Sequence, residues 1–204
     1  LSKQDSTSKE YKDINRYINL ANGGDYRVRD KIQQVATKTG RFDRELHRVK
    51  KAGPMRSFFM APAGYTLISA DYSAFEVRII AGLAGELNLI DIFKSGKDIY
   101  EEVARIILSG SSLKPSELRA IAKIIVVGIN NGMTQYSIHE ILTKSGIGFS
   151  LQDVQGFVNT YMRSFLDLFK WREKTVIESR NNGYVTTTMG RRMVVTNSTE
   201  SNSI

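Results

Sequence analysis

The chain has 204 residues, 41% of them hydrophobic, and a formal net charge of +8 at pH 7. This is sufficient for one sizeable domain, or two small lobes, with a hydrophobic core. The absence of Cys excludes disulfides and thiolate metal sites, and no apolar run approaches the roughly 20 residues that a transmembrane helix needs. We therefore expect a cytoplasmic protein without a membrane partner.

The positive charge is concentrated in the first 60 residues. They contain 14 Lys and Arg against 7 Asp and Glu, whereas the remaining residues contribute a net charge of only +1. Ten of these basic residues lie between Arg27 and Arg56. Clustered Lys and Arg release counterions from a phosphate backbone, so a polyanionic partner is one interpretation and a solvated surface is the other. Charge alone leaves both open.

The predicted elements begin with a polar segment, residues 1–24, interpreted as a weakly ordered helix or a linker. Loose alternation over residues 26–39 predicts one or two irregular strands, and the apolar run 65–70 predicts another. A helix is predicted from Ser73 to Ala84. The spacing of its apolar residues predicts one buried face, formed by Phe75, Ile79, Ile80 and Leu83.

The rest of the chain is predicted to be mainly helical. Helices are expected over residues 98–108, over 115–130, from 133 or 134 onwards, and from 150 through 169 to about 180. Residues 184–188 and 191–196, on either side of a Met-Gly pair, predict a β-hairpin. The pattern as a whole indicates an α+β protein.

Asp71 lies where the predicted strand 65–70 meets the predicted helix. A carboxylate at such a junction has a fixed direction and points into open space, which a catalytic Mg²⁺ site requires. An Asp in this position can instead cap a helix, but Ser73 and Glu76 match a capping box and provide that role. Asp71 is thereby left to bind a cation, and capping is the alternative role of Glu76.

A second group of residues shares one stripe of the helix predicted over 115–130. Arg119, Lys123, Val127 and Asn131 follow one another at intervals of four. Two cations so spaced repel each other unless an anion bridges them, and a triphosphate is suited to that role. Two solvated surface cations are the alternative interpretation.

Both groups resemble motifs of the family A DNA polymerases. Residues 71–78, Asp-Tyr-Ser-Ala-Phe-Glu-Val-Arg, are similar to motif A, Asp-Tyr-Ser-Gln-Ile-Glu-Leu-Arg. Residues 119–132 are similar to motif B, Arg-x3-Lys-x3-Phe/Tyr-Gly-x2-Tyr-Gly. Residues 37–41, Thr-Lys-Thr-Gly-Arg, and residues 183–192, Gly-Tyr-Val-x-Thr-x-x-Gly-Arg-Arg, resemble two further motifs. The four matches follow the order that the family has.

The resemblance implies an incomplete antiparallel palm sheet with a mainly helical fingers subdomain. Residues 25–84 would be the palm portion with motif A, and residues 85–196 the fingers with motif B and the β-hairpin. Residues 1–24 would be a linker or the end of a thumb-like segment, and residues 197–204 a truncated tail. The unpaired edge of such a palm invites a partner chain.

The resemblance also implies a role for each matching residue. Asp71 would be catalytic and would bind Mg²⁺ together with the backbone carbonyl of Tyr72. The expected nucleotide-binding residues are Ser73, Glu76, Tyr100, Arg119, Lys123, Val127 and Asn131. The expected DNA-binding residues are Thr39, Arg41, Arg48, Arg191 and Arg192. Three positions depart from the family, because Tyr100 replaces a phosphate-facing His, Val127 an aromatic partner of the incoming base, and Asn131 a Tyr.

The implied activity is template-directed DNA synthesis for DNA replication and repair, in which a dNTP donates a nucleotide to a primer 3′-hydroxyl. The implied partners are primer–template DNA and dNTPs, in a nucleoid-associated location. Motif C, which supplies the second metal-binding carboxylate, is not in this chain, so only half of a two-metal Mg²⁺ site is expected. A second chain or a missing C-terminal part would supply the other half. We expect this chain alone to be inactive, and the alternative is a catalytically inactive polymerase-like fragment that binds DNA or a partner protein.

Overall fold

The computed structural model describes residues 9–21, 23–25, 27–34, 37, 39–50 and 54–195. The described residues form eight α-helices and two short β-strands, which confirms the α+β prediction. The helices are α1 (Lys9–Leu20), α2 (Phe75–Ala84), α3 (Leu87–Lys94), α4 (Ile99–Ile107), α5 (Pro115–Asn130), α6 (Gln135–Lys144), α7 (Leu151–Ser164) and α8 (Leu166–Asn182). The strands are β1 (Tyr184–Thr186) and β2 (Arg192–Val194). The chain divides into two compact units, Leu1–Ser69 and Ala70–Ile204.

The first unit contains α1 and two short 3₁₀ helices, Glu45–Arg48 and Pro54–Phe58. Tyr17 of α1 is buried, and its ring packs edge-on against Phe59 with 5.8 Å between the ring centroids. An edge-on aromatic pair of this kind contributes more than its apolar area alone. The helical interpretation of the N-terminal segment is therefore confirmed for the part that α1 covers.

The described residues of this part of the chain do not form the predicted strands. Of the range 26–39, positions 26, 35, 36 and 38 lie outside the described residues, and among the others Gln33 makes only an isolated antiparallel bridge with Asp43. Residues 65–70 are exposed and have no regular secondary structure, and no strand of the described chain pairs with them. Because a strand needs a neighbour for its backbone N–H and C=O groups, an apolar run alone does not produce one.

The second unit is a helical bundle around one hydrophobic core. In it α4 packs along α5, α6 packs against α7, and α2 packs against α3 and α8. The largest fully buried side chains are Leu89, Ile121, Ile125, Ile138, Leu142, Tyr161, Phe165 and Leu168. Within the described part of the chain, none of the helices combines the length and the apolar character needed to cross a membrane.

Local caps explain why several helices begin where the sequence predicts. Asp98 Oδ1 accepts hydrogen bonds from the backbone N–H groups of Tyr100 and Glu101 at the start of α4, at 2.9 and 3.1 Å. Thr134 Oγ1 accepts from the first turn of α6, and Ser150 opens α7 with a capping box. These side chains satisfy N–H groups that have no partner inside the helix.

Two helix boundaries were not predicted, and one buried carboxylate accounts for both. Glu86 Oε1 accepts from the backbone N–H of Asn88 at the start of α3, at 3.3 Å. Its Oε2 accepts from the N–H groups of Asp167 and Leu168 at the start of α8, at 3.0 and 3.4 Å. The single helix predicted from 150 to about 180 is therefore wrong, since the chain breaks at Phe165 and Glu86 caps the second piece.

The predicted buried face of α2 is also wrong for three of its four residues, and only Ile80 packs, half-buried, against the core. Phe75, Ile79 and Leu83 are exposed, whereas Val77 and Ala81 are buried. The helix packs against α3 and α8 through the stripe that contains these two smaller residues. The apolar spacing therefore identified a helix correctly but placed the wrong side of it against the core.

The β-hairpin at the end of the described chain is confirmed. The strands β1 and β2 pair antiparallel, with Tyr184 opposite Val194 and Thr186 opposite Arg192. Gly190 has φ = 81° in the connecting turn, a conformation that favours glycine. This hairpin is the only β-sheet that the described residues contain.

Candidate functional site

A cavity of about 350 Å³ in the second unit brings both sequence motifs together. The segment before α2, the first turn of α2, α4 and α5 contribute its wall. The lining residues are Asp71, Tyr72, Ala74, Phe75, Glu76, Val77, Tyr100, Lys123, Val127, Asn130 and Asn131. Seven residues of the predicted site are among them, whereas Ser73 and Arg119 lie outside the lining.

The turn into α2 differs from the predicted capping box. The helix begins at Phe75, and its N-cap residue is Ala74, with φ = 48° and ψ = 41° and no side-chain cap among the described residues. The left-handed conformation of Ala74 removes Ser73 from the N-cap position. Instead, Arg78 Nε donates to the backbone carbonyl of Ser73 at 2.9 Å. The prediction that Ser73 and Glu76 form a capping box is therefore wrong.

Two carboxylates of this segment lie on the cavity wall. Asp71 is exposed and lines the cavity, and Glu76 in the first turn of α2 is close enough to Tyr100 for its charge to affect the hydroxyl. The ring of Tyr72 stacks on that of Phe75, with 5.3 Å between their centroids. This stacking helps to fix the chain next to Asp71.

The donor set of the cavity fits a magnesium ion that arrives together with a phosphate ligand. Asp71, Glu76 and the carbonyl of Tyr72 offer oxygen donors, the kind that Mg²⁺ prefers. Within the described residues no three His, Cys, Asp or Glu side chains are grouped so that they could hold a metal by themselves. Mg²⁺ is commonly bound by one or two carboxylates plus substrate phosphates, rather than by a cage made of protein alone.

The two cations of α5 are both next to the ring of Tyr100. Arg119 Cζ lies 5.5 Å and Lys123 Nζ 5.7 Å from the ring centroid, within the range of a cation–π interaction. Arg119 Nη2 also forms an ion pair with Asp98 Oδ2 at 2.7 Å. This hydrogen bond raises the pKa of Arg119 above its usual value. Lys123 is therefore the cation that reaches the cavity, while Asp98 holds Arg119.

Tyr100 is an uncharged side chain among these charged ones. Its side chain is buried, and burial, followed by the charges of Asp98 and Glu76, raises the pKa of its hydroxyl. The phenol therefore stays protonated at neutral pH. It provides a ring for the two cations and an O–H donor at the cavity wall.

The other end of α5 forms the remaining wall. Val127 is half-buried there, and Asn131 Nδ2 donates to the Val127 carbonyl at 2.9 Å. A Cβ on Gly128 would lie 3.0 Å from Ile138 Cγ1, so glycine allows the close approach of α6. Asn130 also lines the cavity, and the sequence analysis did not predict it. Its polar side chain directly before Asn131 could have indicated it as a site residue.

Three of the predicted DNA-binding residues, Thr39, Arg41 and Arg48, lie in the first unit. Arg48 is paired with Asp43 at 2.8 Å and with Glu45 at 3.1 Å, so much of its charge is neutralised. The DNA-binding role of these residues stays a prediction.

The other two, Arg191 and Arg192, lie in the hairpin region. Arg192 Cζ is 4.7 Å from the centroid of the Tyr184 ring, and the N–H of Arg191 donates to Thr187 Oγ1. These contacts orient both residues on the hairpin, and their role in DNA binding also stays a prediction.

The comparison with protein families identifies the chain. The model for DNA polymerase family A matches residues 2–204. The chain therefore belongs to DNA polymerase family A.

Individual relatives agree with this assignment. The chain is 34% identical over 177 residues to the thermostable DNA polymerase I of Thermus filiformis and 35% identical over 178 residues to that of Thermus aquaticus. Each match covers 83% of this chain and 21% of the relative. DNA polymerase I of Bacillus subtilis is 27% identical over 186 residues, which cover 87% of this chain and 21% of that protein. The chain thus spans about a fifth of the length of these curated relatives.

A solved structure shares the fold. The POL domain of Pol1 from M. smegmatis, in complex with DNA primer-template and dNTP, superposes with a TM-score of 0.75 and 24% sequence identity. The match covers 93% of this chain and 35% of that chain. The described fold is therefore that of part of a polymerase domain.

Proposed function

We propose that this chain provides the nucleotide-binding part of a DNA-directed DNA polymerase that transfers a nucleotide from a dNTP to a primer 3′-hydroxyl. The observation that carries the proposal is the cavity that Asp71 and Lys123 line together. Family membership supports it, as does the fold shared with a polymerase domain that was solved with primer-template and dNTP. A carboxylate and an ammonium on one wall suit a metal-bound triphosphate.

In this proposal the residues of α4 and α5 hold the phosphates. Lys123 pairs with the triphosphate and neutralises the charge that moves onto pyrophosphate. Arg119 adds a bidentate donor when the anion competes with Asp98 for it. The protonated hydroxyl of Tyr100 donates a further hydrogen bond, which takes the place of the imidazole that the family has.

The residues of the α2 segment face the sugar and the metal. Asp71 and the carbonyl of Tyr72 would bind Mg²⁺, which supplies activation of the primer hydroxyl and stabilisation of the phosphate charge when it is bound. Glu76 limits the space beside the sugar 2′ position, and Ser73 lies just before this turn. The basic stretch that contains Thr39, Arg41 and Arg48, and the hairpin arginines, contact primer–template DNA, in a nucleoid-associated protein.

The second metal-binding carboxylate comes, in this proposal, from a second chain or from a C-terminal part that carries motif C. The chain spans only about a fifth of its curated relatives, and a two-metal site needs ligands on both sides of the metal pair. The exposed apolar residues around Leu67 and Ile68 offer a surface that such a part can cover.

The experiment that tests the proposal measures dNTP binding to the full chain by calorimetry, with and without Mg²⁺. We expect Mg²⁺ to tighten binding, and Asp71→Asn to remove this gain while leaving the metal-free affinity nearly unchanged. Asp91→Asn is the matched control, since Asp91 is an exposed carboxylate of α3 outside the cavity. A magnesium effect that survives in the Asp71→Asn variant would contradict the assignment of Asp71.

A second candidate function is a catalytically inactive fragment that binds DNA or a partner protein. The observation that favours it is the cavity wall at Val127 and Asn131, which offers no ring on which a base could stack. As a DNA-binding fragment it predicts binding of primer–template DNA without binding of dNTP, and as a partner-binding fragment it predicts binding of neither. The same calorimetric titration, repeated with a primer–template duplex, distinguishes the two functions.

A further inference from the structure

The C-terminal end of α5 is held by two side chains from distant parts of the chain. Arg172 Nη1, on α8, donates to the backbone carbonyl of Ile129 at 2.7 Å. Tyr161, on α7, donates through its hydroxyl to Asn130 Oδ1 at 3.4 Å. The last carbonyls of a helix have no partner inside it, and a cation there also suits the helix dipole. The end of α5 is therefore fixed from two directions.

The contact with Tyr161 determines which way the carboxamide of Asn130 faces. Tyr161 is fully buried, and burial raises the pKa of its hydroxyl well above the usual value. In this contact the hydroxyl of Tyr161 is the donor. Because the oxygen of Asn130 accepts this hydrogen bond, the nitrogen Nδ2 remains as a donor.

This nitrogen lacks the partner that a buried donor normally has. Asn130 Nδ2 is shielded from solvent, and none of the described residues accepts a hydrogen bond from it. Buried polar groups in native proteins are nearly always paired, because an unmade hydrogen bond leaves the desolvation of the group uncompensated. Asn130 also forms part of the cavity wall. The unpartnered donor lies on a residue of the cavity wall, so a bound ligand can supply the acceptor once the carboxamide turns towards the cavity.

The position of Asn130 on α5 indicates which part of a ligand it meets. It follows Lys123 by seven residues, which is about 10 Å along a helix axis. This separation is comparable to the distance between the phosphates and the base of a nucleoside triphosphate. Val127, which lies between them, has no ring to stack on the base. A hydrogen bond from Asn130 can provide the recognition that stacking does not.

We propose that Asn130 is a specificity-determining residue of the nucleotide site, with Nδ2 donating a hydrogen bond to an acceptor on the nucleoside part of the triphosphate. Tyr161 and Arg172 are positioning residues for this donor. The inference rests on the proposed nucleotide-binding function of the cavity. It adds a contact at a position that the motif comparison left without a role.

The test compares dNTP with inorganic tripolyphosphate, which has the phosphates but no nucleoside. In the double variant Asn130→Leu/Tyr161→Phe, both partners of the buried hydrogen bond become apolar, so the fold is preserved or slightly stabilised. We expect this variant to bind dNTP about tenfold more weakly than the wild type, the usual effect of one lost hydrogen bond. Its affinity for tripolyphosphate and its melting temperature should not fall.

Lys123→Ala is the comparison variant, because it should weaken binding of both ligands. Wild-type affinity for dNTP in the double variant would overturn the inference and leave the proposed function intact. Equal losses of affinity for dNTP and tripolyphosphate in the double variant, together with a lower melting temperature, would show that Asn130 has only a structural role. If the wild-type chain binds neither ligand, or binds dNTP no better than tripolyphosphate, the inference falls. Binding of neither ligand removes the proposed function as well.

Discussion

The two walls of the cavity are supported in different ways. Helix α5 satisfies its own backbone groups and buries Ile121, Ile125 and Val126 completely in the core. The segment that carries Asp71 follows residues 65–70, which are exposed and pair with no strand of the described chain. The α5 wall is thus a helix that packs directly on the hydrophobic core of its own unit. The wall of Asp71 depends mainly on the local turn at Ala74.

The difference shows why one kind of element could be predicted and the other could not. A helix closes its hydrogen bonds within a few residues, whereas a strand depends on a neighbour that can be anywhere in the sequence. The run of β-branched residues from Ile124 to Val127 has weak helix propensity, yet burial keeps it helical. In both regions the structure is therefore determined by whether other segments pack against the residues: α5 is buried, and residues 65–70 are not.

The largest effect that this comparison predicts concerns one buried and one exposed isoleucine. Ile125 is 0% exposed and Ile68 is 91% exposed. Ile125→Ala should lower the free energy of unfolding by about 2–5 kcal/mol, because it leaves a cavity in the core. Ile68→Ala should change it by less than about 0.5 kcal/mol. Urea unfolding of both variants measures the difference, and similar losses at the two positions would refute the contrast between the walls.

A smaller effect of opposite sign is expected for the same change of residue in the two regions. Ala74 has φ = 48°, which disfavours a residue with a Cβ, so Ala74→Gly should raise the free energy of unfolding by about 0.5–1 kcal/mol. Ala120 is exposed inside α5, so Ala120→Gly should lower it by about 1 kcal/mol. Thermal unfolding of the two variants measures the sign of each stability change. Destabilisation by Ala74→Gly would show that the turn is not strained.

The smallest effect is the pH dependence of the ion pair that holds Arg119. Burial acts to raise the pKa of Asp98, but the hydrogen bond from Arg119 and those from two backbone N–H groups outweigh it, so the pKa is lowered. Its contribution to stability is therefore present above the ordinary pKa of 3.8 and is lost as the pH falls through the lower folded value. With side chains 30% and 40% exposed, the pair should contribute less than about 1 kcal/mol.

Asp98→Asn should therefore flatten the loss of stability in this acid range. Urea unfolding at neutral pH and below pH 3.8 measures the effect. The control is Asp91→Asn, because Asp91 is an exposed carboxylate. Asp153→Asn is less suitable, because Asp153 takes part in the capping box of α7. An acid profile of Asp98→Asn that is identical to that of the wild type would show that the pair adds nothing.

Much of the site could be predicted because its residues belong to short motifs. The sequence placed Asp71, Glu76, Lys123 and Val127 in one site, and the fold brings them to one cavity. It did not reveal that Asp98 holds Arg119, because the partners are 21 residues apart on different helices. Contacts between distant segments carry no local sequence pattern.

The same reason explains the errors in the fold. The break at Phe165 and the start of α3 both depend on Glu86, which acts across 81 residues in the chain. The orientation of α2 depends on its packing against α8. By contrast, the starts at Asp98 and Pro115 were predicted, since a cap or a first-turn proline acts on its own helix.

The proposed function depends above all on phosphate binding by α5. The most direct measurement is the affinity of the full chain for dNTP and for tripolyphosphate in the wild type, in Lys123→Ala and in Lys174→Ala. Lys174 is the matched control, a solvent-exposed lysine of α8 outside the cavity. We expect Lys123→Ala to weaken both ligands by about tenfold or more, the usual effect of losing a charged hydrogen bond, and Lys174→Ala to change neither. Wild-type affinities in Lys123→Ala would contradict phosphate binding by α5. They would show that Lys123 is a solvated surface cation.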